Sequence, residues 1–262
     1  MSLGAHRASS TREYQLLDKK TIDSTGSQSY SIIAGTLYLE IEMWGAGGGG
    51  GLGLGSAGRG GSTFQEGAGG GGGGYVKHKI LESNLNAGRK LSFTIGVGGD
   101  GADLSGTNEC KGDQGGATSY NGIQDSDGSE LSSASVSAEG GCGGDSGNVS
   151  CVGGEICYNT GGNATGGNLV NENGTDGTDH GSVITNAVDG QNGGAAGGPG
   201  GGAGGDGGID NSSSANAAGD DGVVPGGGGG GGASNCSICS TFEIGGDGGN
   251  GANGRVIIRA YG

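Results

Sequence analysis

The chain has 262 residues and 74 of them are glycine, several times the usual share, while Leu, Ile, Val and Phe together number only 41. With a net charge of −15, this composition lies where chains usually stay disordered, and it excludes one large aliphatic core. Two prolines exclude collagen. Either the chain is unfolded or glycine itself builds the fold.

The charge is segregated. Residues 112–254 contain no Lys or Arg but 17 Asp and Glu, so this stretch cannot supply the cations that displace phosphate counterions, and nucleic acid is excluded as a partner. The same field disfavours an anionic membrane surface. No apolar run reaches the ~20 residues of a membrane span, and residues 1–20 lack the apolar stretch of a secretory leader. The expectation is a chain without membrane insertion.

Residues 1–20 are polar and mixed in charge, with Tyr14, Leu16 and Leu17 as anchors, and read as an arm that orders on a partner. From residue 21 onward, Tyr30 and Ile32, and then Leu37, Leu39, Ile41 and Met43 alternating with Tyr38, Glu40, Glu42 and Trp44, predict half-buried strands. Similar alternation predicts strands at 75–80, 91–97 and 255–261. These strands come from both ends of a domain spanning 21–262, and glycine-rich insertions, mainly 45–74 and 98–254, lie between them. The expected fold class is mainly β and irregular. A small β-sandwich would be built from both chain ends, with insertions projecting from one end and packed as a polyglycine-II helix bundle.

The bundle has a sequence test. A polyproline-II-type helix has three residues per turn and ~3.1 Å rise; without Cβ atoms such helices can pack side by side and hydrogen-bond to one another. Glycine is then needed at the two inward positions of each turn, and the third is free. Ala203, Asp206 and Ile209 follow this spacing, as do Asp247 and Asn250, and Glu139, Cys142 and Asp145. Around 195–199 the phase slips. The alternative is a flexible glycine linker.

The ordered blocks LEIEMWGAGGGG (39–50), GGGGGGYV (69–76), LSFTIGVGG (91–99), GGATS (115–119) and GGDGGNGANGRVII (245–258) resemble the glycine-rich domain of viral and phage tail-fibre adhesins. They are also similar to the glycine-rich extracellular domain of anaplastic lymphoma kinase-type receptors. The resemblance runs from about residue 21 to 262 and implies a sandwich carrying packed polyglycine-II helices, with a binding or structural role and no catalysis. The expectation is a chain without the transmembrane and kinase parts of the receptor pattern, which favours the viral branch.

Six cysteines, Cys110, Cys142, Cys151, Cys157, Cys236 and Cys239, are disulfide candidates that would staple insertions poor in apolar atoms. On one extended helix Cys142 and Cys151 would lie about 28 Å apart, far beyond the ~7 Å limit of a disulfide. Free thiols and a zinc site using Cys236-Ser-Ile-Cys239 with Cys151 and Cys157 are the alternatives. Sequons at Asn148, Asn163, Asn173, Asn211 and Asn235 are glycosylation candidates. The aspartates of Gly-Gly-Asp-Gly elements read as solvated turn carboxylates rather than calcium ligands. No P-loop lysine follows any glycine tract, and His6, His78 and His180 sit in no catalytic context. No enzyme activity, cofactor or metal is expected. Trp44, the single tryptophan, stands where a strand meets glycine, as a structural anchor under the first glycine helix.

These readings converge on a non-enzymatic structural or attachment protein at the surface of a virus particle, as a fibre, vertex or minor capsid component. Its expected partners are other virion proteins or copies of itself, with a host surface receptor or glycan meeting the segments 125–136, 168–189 and 210–224. Two alternatives come from other classes. One is a self-assembling extracellular filament subunit, in which 14–22 adds to the sheet of the next copy. The other is a soluble cytokine-binding module.

Overall fold

The computed structural model describes residues 13–58, 61–81, 85–103, 111–146, 158–179, 189–209, 217–234 and 245–262. Among these residues there are twelve strands and no helix. One sheet has the order β1-β12-β3-β6-β11, with β1 Leu16–Ile22, β3 Tyr38–Trp44, β6 Tyr75–Leu81, β11 Val170–Glu172 and β12 Arg255–Tyr261. The second has the order β10-β9-β8-β7-β2, with β2 Gly26–Ser31, β7 Lys90–Ile95, β8 Thr118–Gln124, β9 Glu130–Ala138 and β10 Ala164–Thr165. A separate hairpin pairs β4 Leu54–Gly58 with β5 Gly61–Gln65. All pairings are antiparallel.

The two five-stranded sheets enclose the larger apolar cluster among the described residues. Leu39, Ile41 and Met43 of β3, Val76 and Ile80 of β6, and Val256 and Ile258 of β12 meet Leu91, Phe93 and Ile95 of β7, Tyr120 and Ile123 of β8, and Val136 of β9. Alternation puts the opposite residues on the outer face, where Lys77 pairs with Glu40 at 3.1 Å and Arg259 with Glu42 at 2.9 Å. Farther from the glycine tracts, that face carries Tyr38 stacked on Tyr261 at 4.6 Å, with Tyr14 edge-on and Lys79 over the Tyr38 ring.

Two expectations change. Residues 16–20, read as part of a partner-seeking arm, lie in β1, and Lys19 through Ile22 pair with β12 of the same chain; the strand that a filament would exchange is already satisfied internally. The stretch 98–254 is also more than glycine insertion, since it supplies β8, β9, β10 and β11. Strand β9 carries so many Ser and Ala residues that its alternation carries little hydrophobic contrast, yet Val136 and Ala138 are buried.

Eight strands run directly into glycine-rich tracts. In sheet order, β12, β3, β6 and β11 adjoin 245–254, 45–53, 67–74 and 173–178, while β10, β9, β8 and β7 adjoin 159–163, 139–146, 112–116 and 96–102. Each sheet therefore continues as a row of four tracts. Four further tracts, 190–197, 201–208, 217–223 and 226–234, adjoin no strand and lie beside the row that extends the first sheet. The phase slip near 195–199 is where the chain reverses: Gly198 and Gly200 take φ of 73° and 74°, which a residue with a Cβ adopts at a cost.

The tracts are joined by backbone hydrogen bonds whose direction turns with a period of three. In 45–53, Gly45, Gly48 and Gly51 donate to Gly74, Gly71 and Ala68; Ala46 and Gly49 donate to Gly116 and Asp113; Gly47, Gly50 and Gly53 donate to Ala252, Gly249 and Gly246. The carbonyls of this tract accept from 96–102, 139–146 and 226–234, so it has six bonded neighbours. Tracts 67–74 and 226–234 also have six each, and all three bond to one another. The other nine form a closed ring around them, each bonded to the next. Buried peptide groups must find partners, and here they find them in other tracts.

Candidate functional site

The glycine assembly is the feature that sets this molecule apart from an ordinary sandwich, and its requirement for glycine is spatial. No glycine inside 45–53 or 67–74 has positive φ. A Cβ on Gly48 would instead lie 2.1 Å from the carbonyl oxygen of Cys142, and one on Gly228 2.1 Å from that of Gly70. Such contacts are far inside van der Waals distance, so a methyl group would force the tracts apart. Alanine occurs where the lattice leaves room, as at Ala46, Ala68 and Ala233, all buried.

Around the perimeter, side-chain oxygens take over from backbone carbonyls. Asn253 and Asn250 accept from the amides of Gly98 and Gly101 at 2.8 and 2.9 Å. Asp176 accepts from Gly161, Asn192 from Gly207, and Asp221 from Asn250. An amide pointing outward from one tract is thus capped by Asn or Asp on the next, much as a helix N-cap satisfies an orphan donor. Of these, sequence reading named only Asn250, as a free third position; the signal was their recurrence opposite glycine pairs, which becomes legible only once tract neighbours are known.

Trp44 is buried where β3 becomes 45–53. Its ring lies 5.0 Å from that of Tyr75, and the pair packs with Ala196, Val170 and Ile257. The indole Nε1 has no hydrogen-bond partner among the described residues. A Cβ on Gly198 would lie 2.2 Å from the Tyr75 ring, so the chain reversal at 198–200 rests directly on that aromatic face. Tyr75, which sequence reading placed only in a strand, shares the anchoring role. Burial raises its hydroxyl pKa above the ordinary tyrosine value, as does the hydrogen bond and charge of Glu42.

Cys142 is the one candidate cysteine among the described residues. It is buried in 139–146, is bonded rather than a free thiol, and its sulfur accepts from Thr160 Oγ1 at 3.1 Å. No cysteine pair lies wholly within the described residues; Cys110, Cys151, Cys157, Cys236 and Cys239 fall outside them, as do Asn148, Asn211 and Asn235. Asn163 and Asn173 are exposed. Asn163 donates to Glu139, and Asn173 accepts from the Ala164 amide.

The segments expected to meet a receptor do not all join glycine tracts. Residues 125–136 are the β8-β9 turn and most of β9, on the sandwich at the end away from the tracts. Residues 168–189 include β11 and tract 173–178, and 210–224 include tract 217–223. At the end of the assembly remote from the sandwich, a cavity of about 270 Å³ is lined by Ala68, Asp145, Tyr158, Asn159 and Asp179. Lys111 lies 5.5 Å from the Tyr158 ring centre.

His78 sits on β6 between the sheets, 6.0 Å from the Tyr120 ring. Burial lowers its pKa, opposed by a hydrogen bond to the Gly166 backbone, and its buried Nδ1 has no partner among the described residues. His6 and His180 lie outside the described residues. Among the described residues no group of three or more His, Cys, Asp or Glu could hold a metal ion, and no helix is long and apolar enough to cross a membrane.

Two antiparallel sheets face to face, with glycine tracts leaving one end, define an all-β glycine-rich protein. The family described as Glycine-rich domain matches residues 22–261, and the chain belongs to it. No curated protein matches the sequence.

Proposed function

We propose that the tracts form a polyglycine-II helix bundle and that the protein is a non-enzymatic structural or attachment component on the surface of a virus particle. The observation that carries the bundle is the threefold rotation of hydrogen bonds, with Gly45, Gly48 and Gly51 addressing one neighbour and the intervening residues two others. That rotation matches a helix of three residues per turn without internal hydrogen bonds. The viral setting is supported by the resemblance of the ordered sequence blocks to tail-fibre adhesins.

In this reading the sandwich is the base. The tyrosines Tyr14, Tyr38 and Tyr261 and the exposed Leu16 and Leu81 meet neighbouring virion proteins or copies of the chain. The bundle holds its acidic far end away from the particle. Segments leaving that end carry the remaining cysteines as disulfides, and they contact a host surface receptor or glycan, since loops on a rigid scaffold are where recognition concentrates. Mass spectrometry of intact purified particles, with and without reduction, together with labelling by antibodies against the far end, tests this. The chain should co-purify with capsid proteins, be labelled on unbroken particles and gain mass on reduction. Finding it only in the soluble fraction of infected cells would overturn the assignment.

A further inference from the structure

We propose that the groove between tracts 96–102 and 112–116 is a binding site for one more glycine-rich helix, supplied by a partner segment with Lys or Arg at every third position. The inference rests on the polyglycine-II reading above and goes beyond it by naming a vacant position at the surface of the bundle and the chemistry that fills it.

Donor directions in 96–102 rotate by a third of a turn per residue. Gly99 and Ala102 donate inward to Gly47 and Gly50. Gly98 and Gly101 point towards 245–254, where Asn253 and Asn250 cap them. The third direction belongs to Val97 and Asp100, whose amides have no acceptor among the described residues. Both residues line a groove of about 510 Å³ whose opposite wall includes Asp113 and Gln114 and whose end is closed by Gly26 of β2. On that wall the carbonyl of Gln114, which lines the groove, accepts no backbone bond among the described residues.

One wall therefore offers donors spaced a full turn apart, about 9 Å in this geometry, and the other offers an acceptor. This is the pairing that every inner tract meets from two adjacent neighbours. Two equivalent grooves are closed by side chains: Asp176 and Asn173 fill the one between 159–163 and 173–178, and Asn192 the one between 190–197 and 201–208. Only a chain with glycine at two of three positions can approach the walls closely enough to bond to both. Charge selects the third residue. Asp100 and Asp113 are exposed on the two walls, and no Lys or Arg occurs from 112 to 254, so a second copy of this acidic tract region is repelled and a basic segment is attracted.

The test uses the full chain and three synthetic peptides, (Gly-Gly-Lys)4, (Gly-Gly-Glu)4 and (Ala-Ala-Lys)4, with residue-resolved amide exchange as the readout. At about ten times its dissociation constant, (Gly-Gly-Lys)4 should slow exchange at Val97 and Asp100 by roughly tenfold, leaving capped Gly98 and Gly101 unchanged. The acidic peptide and the alanine peptide should do neither. Val97→Trp, at a position already more than half exposed, should fill the groove and abolish the effect. Equal binding of (Ala-Ala-Lys)4 would mean charge attraction alone and would overturn the site, as would unchanged exchange at Val97 and Asp100. The bundle reading fails separately: Gly48 and Gly71 amides exchanging at free-peptide rates in the peptide-free protein would sink that reading, whereas their protection with no response at Val97 would sink only this one.

Discussion

Replacing Gly70 by alanine asks whether the tracts are cohesive. Gly70 lies in an inner tract, donates to Gly229 and accepts from Gly194. A Cβ there would stand 2.2 Å from the Gly48 carbonyl oxygen and 2.6 Å from that of Gly49. Restoring ordinary contact requires tracts 45–53 and 67–74 to separate by about 1.2 Å, which stretches N···O distances of 2.8–2.9 Å to around 4 Å, outside hydrogen-bonding range. Three bonds hold this pair, from Gly45, Gly48 and Gly51. At about 1 kcal/mol each, with a buried carbonyl left unpaired at about 1–3 kcal/mol, the loss is roughly 4–6 kcal/mol. That is a large share of the ~5–15 kcal/mol typical of a domain. In an unpacked tract the same change has the opposite sign, because alanine restricts the unfolded chain and stabilises by about 0.4–1 kcal/mol. Denaturant midpoints at constant slope decide between them, with Asp206→Ala at a ring position as a control expected to be near neutral. A Gly70→Ala midpoint equal to or above that of the parent would refute the packing argument.

Trp44→Ala should cost about 3–5 kcal/mol by emptying the aromatic anchor, and the loss should be shared by β3 and by amides in 190–197, seen in exchange. Asn253→Ala should leave the sandwich intact but lose about 1 kcal/mol locally, so that Gly98 exchanges roughly fivefold faster. His78 is held neutral, with its folded pKa below the unfolded value of 6.5. The unfolded state therefore binds the proton more readily, and His78's contribution is fully present above pH 6.5 and lost as pH falls towards the folded pKa. Thermal melts of the parent should decline through that window; His78→Gln should remove the part of the slope owed to this ring, and an unchanged slope would exclude it as the source.

The sandwich was readable where alternation used large apolar residues. Strands β3, β6, β7 and β12 fall within a few residues of their predicted positions, since Leu39, Ile41 and Met43 or Val256 and Ile258 leave one face no place but the core. Strand β1 was read as a strand only in the filament alternative and β9 escaped notice, for different reasons. Leu16–Ile22 is half charged and covers a sheet edge, where lysines discourage further pairing. Glu130–Ala138 offers Ser and Ala where a strand signal needs β-branched or aromatic residues. In the glycine regions the period of three was visible locally, at Ala203, Asp206 and Ile209. Which tract neighbours which was not visible, because a tract of glycine has no side chains with which to specify a partner. Partner choice comes instead from the strands to which tracts are attached, and from caps such as Asn250, whose amide and side chain engage different neighbours.

That dependence explains how a composition typical of disorder can fold. Glycine loses more backbone freedom on ordering than any other residue, and a lone polyproline-II helix has no internal hydrogen bond to offset the loss. Tracts therefore gain only as a group. Bringing a group together from a free chain would carry a further loop-closure cost for every addition. The sandwich removes much of that cost, since its apolar core fixes eight tract ends side by side in two rows before any tract bond is made. The four tracts without strands then add to a surface already displaying aligned donors and acceptors, with Trp44, Tyr75 and Ala196 packing the joint. Sandwich and tracts should accordingly unfold as one cooperative unit. Core damage such as Leu39→Ala, far from any tract, should lower protection at Gly228 as much as at Ile41. Loss of protection at Ile41 while Gly228 keeps its own would show that the tracts need no such base.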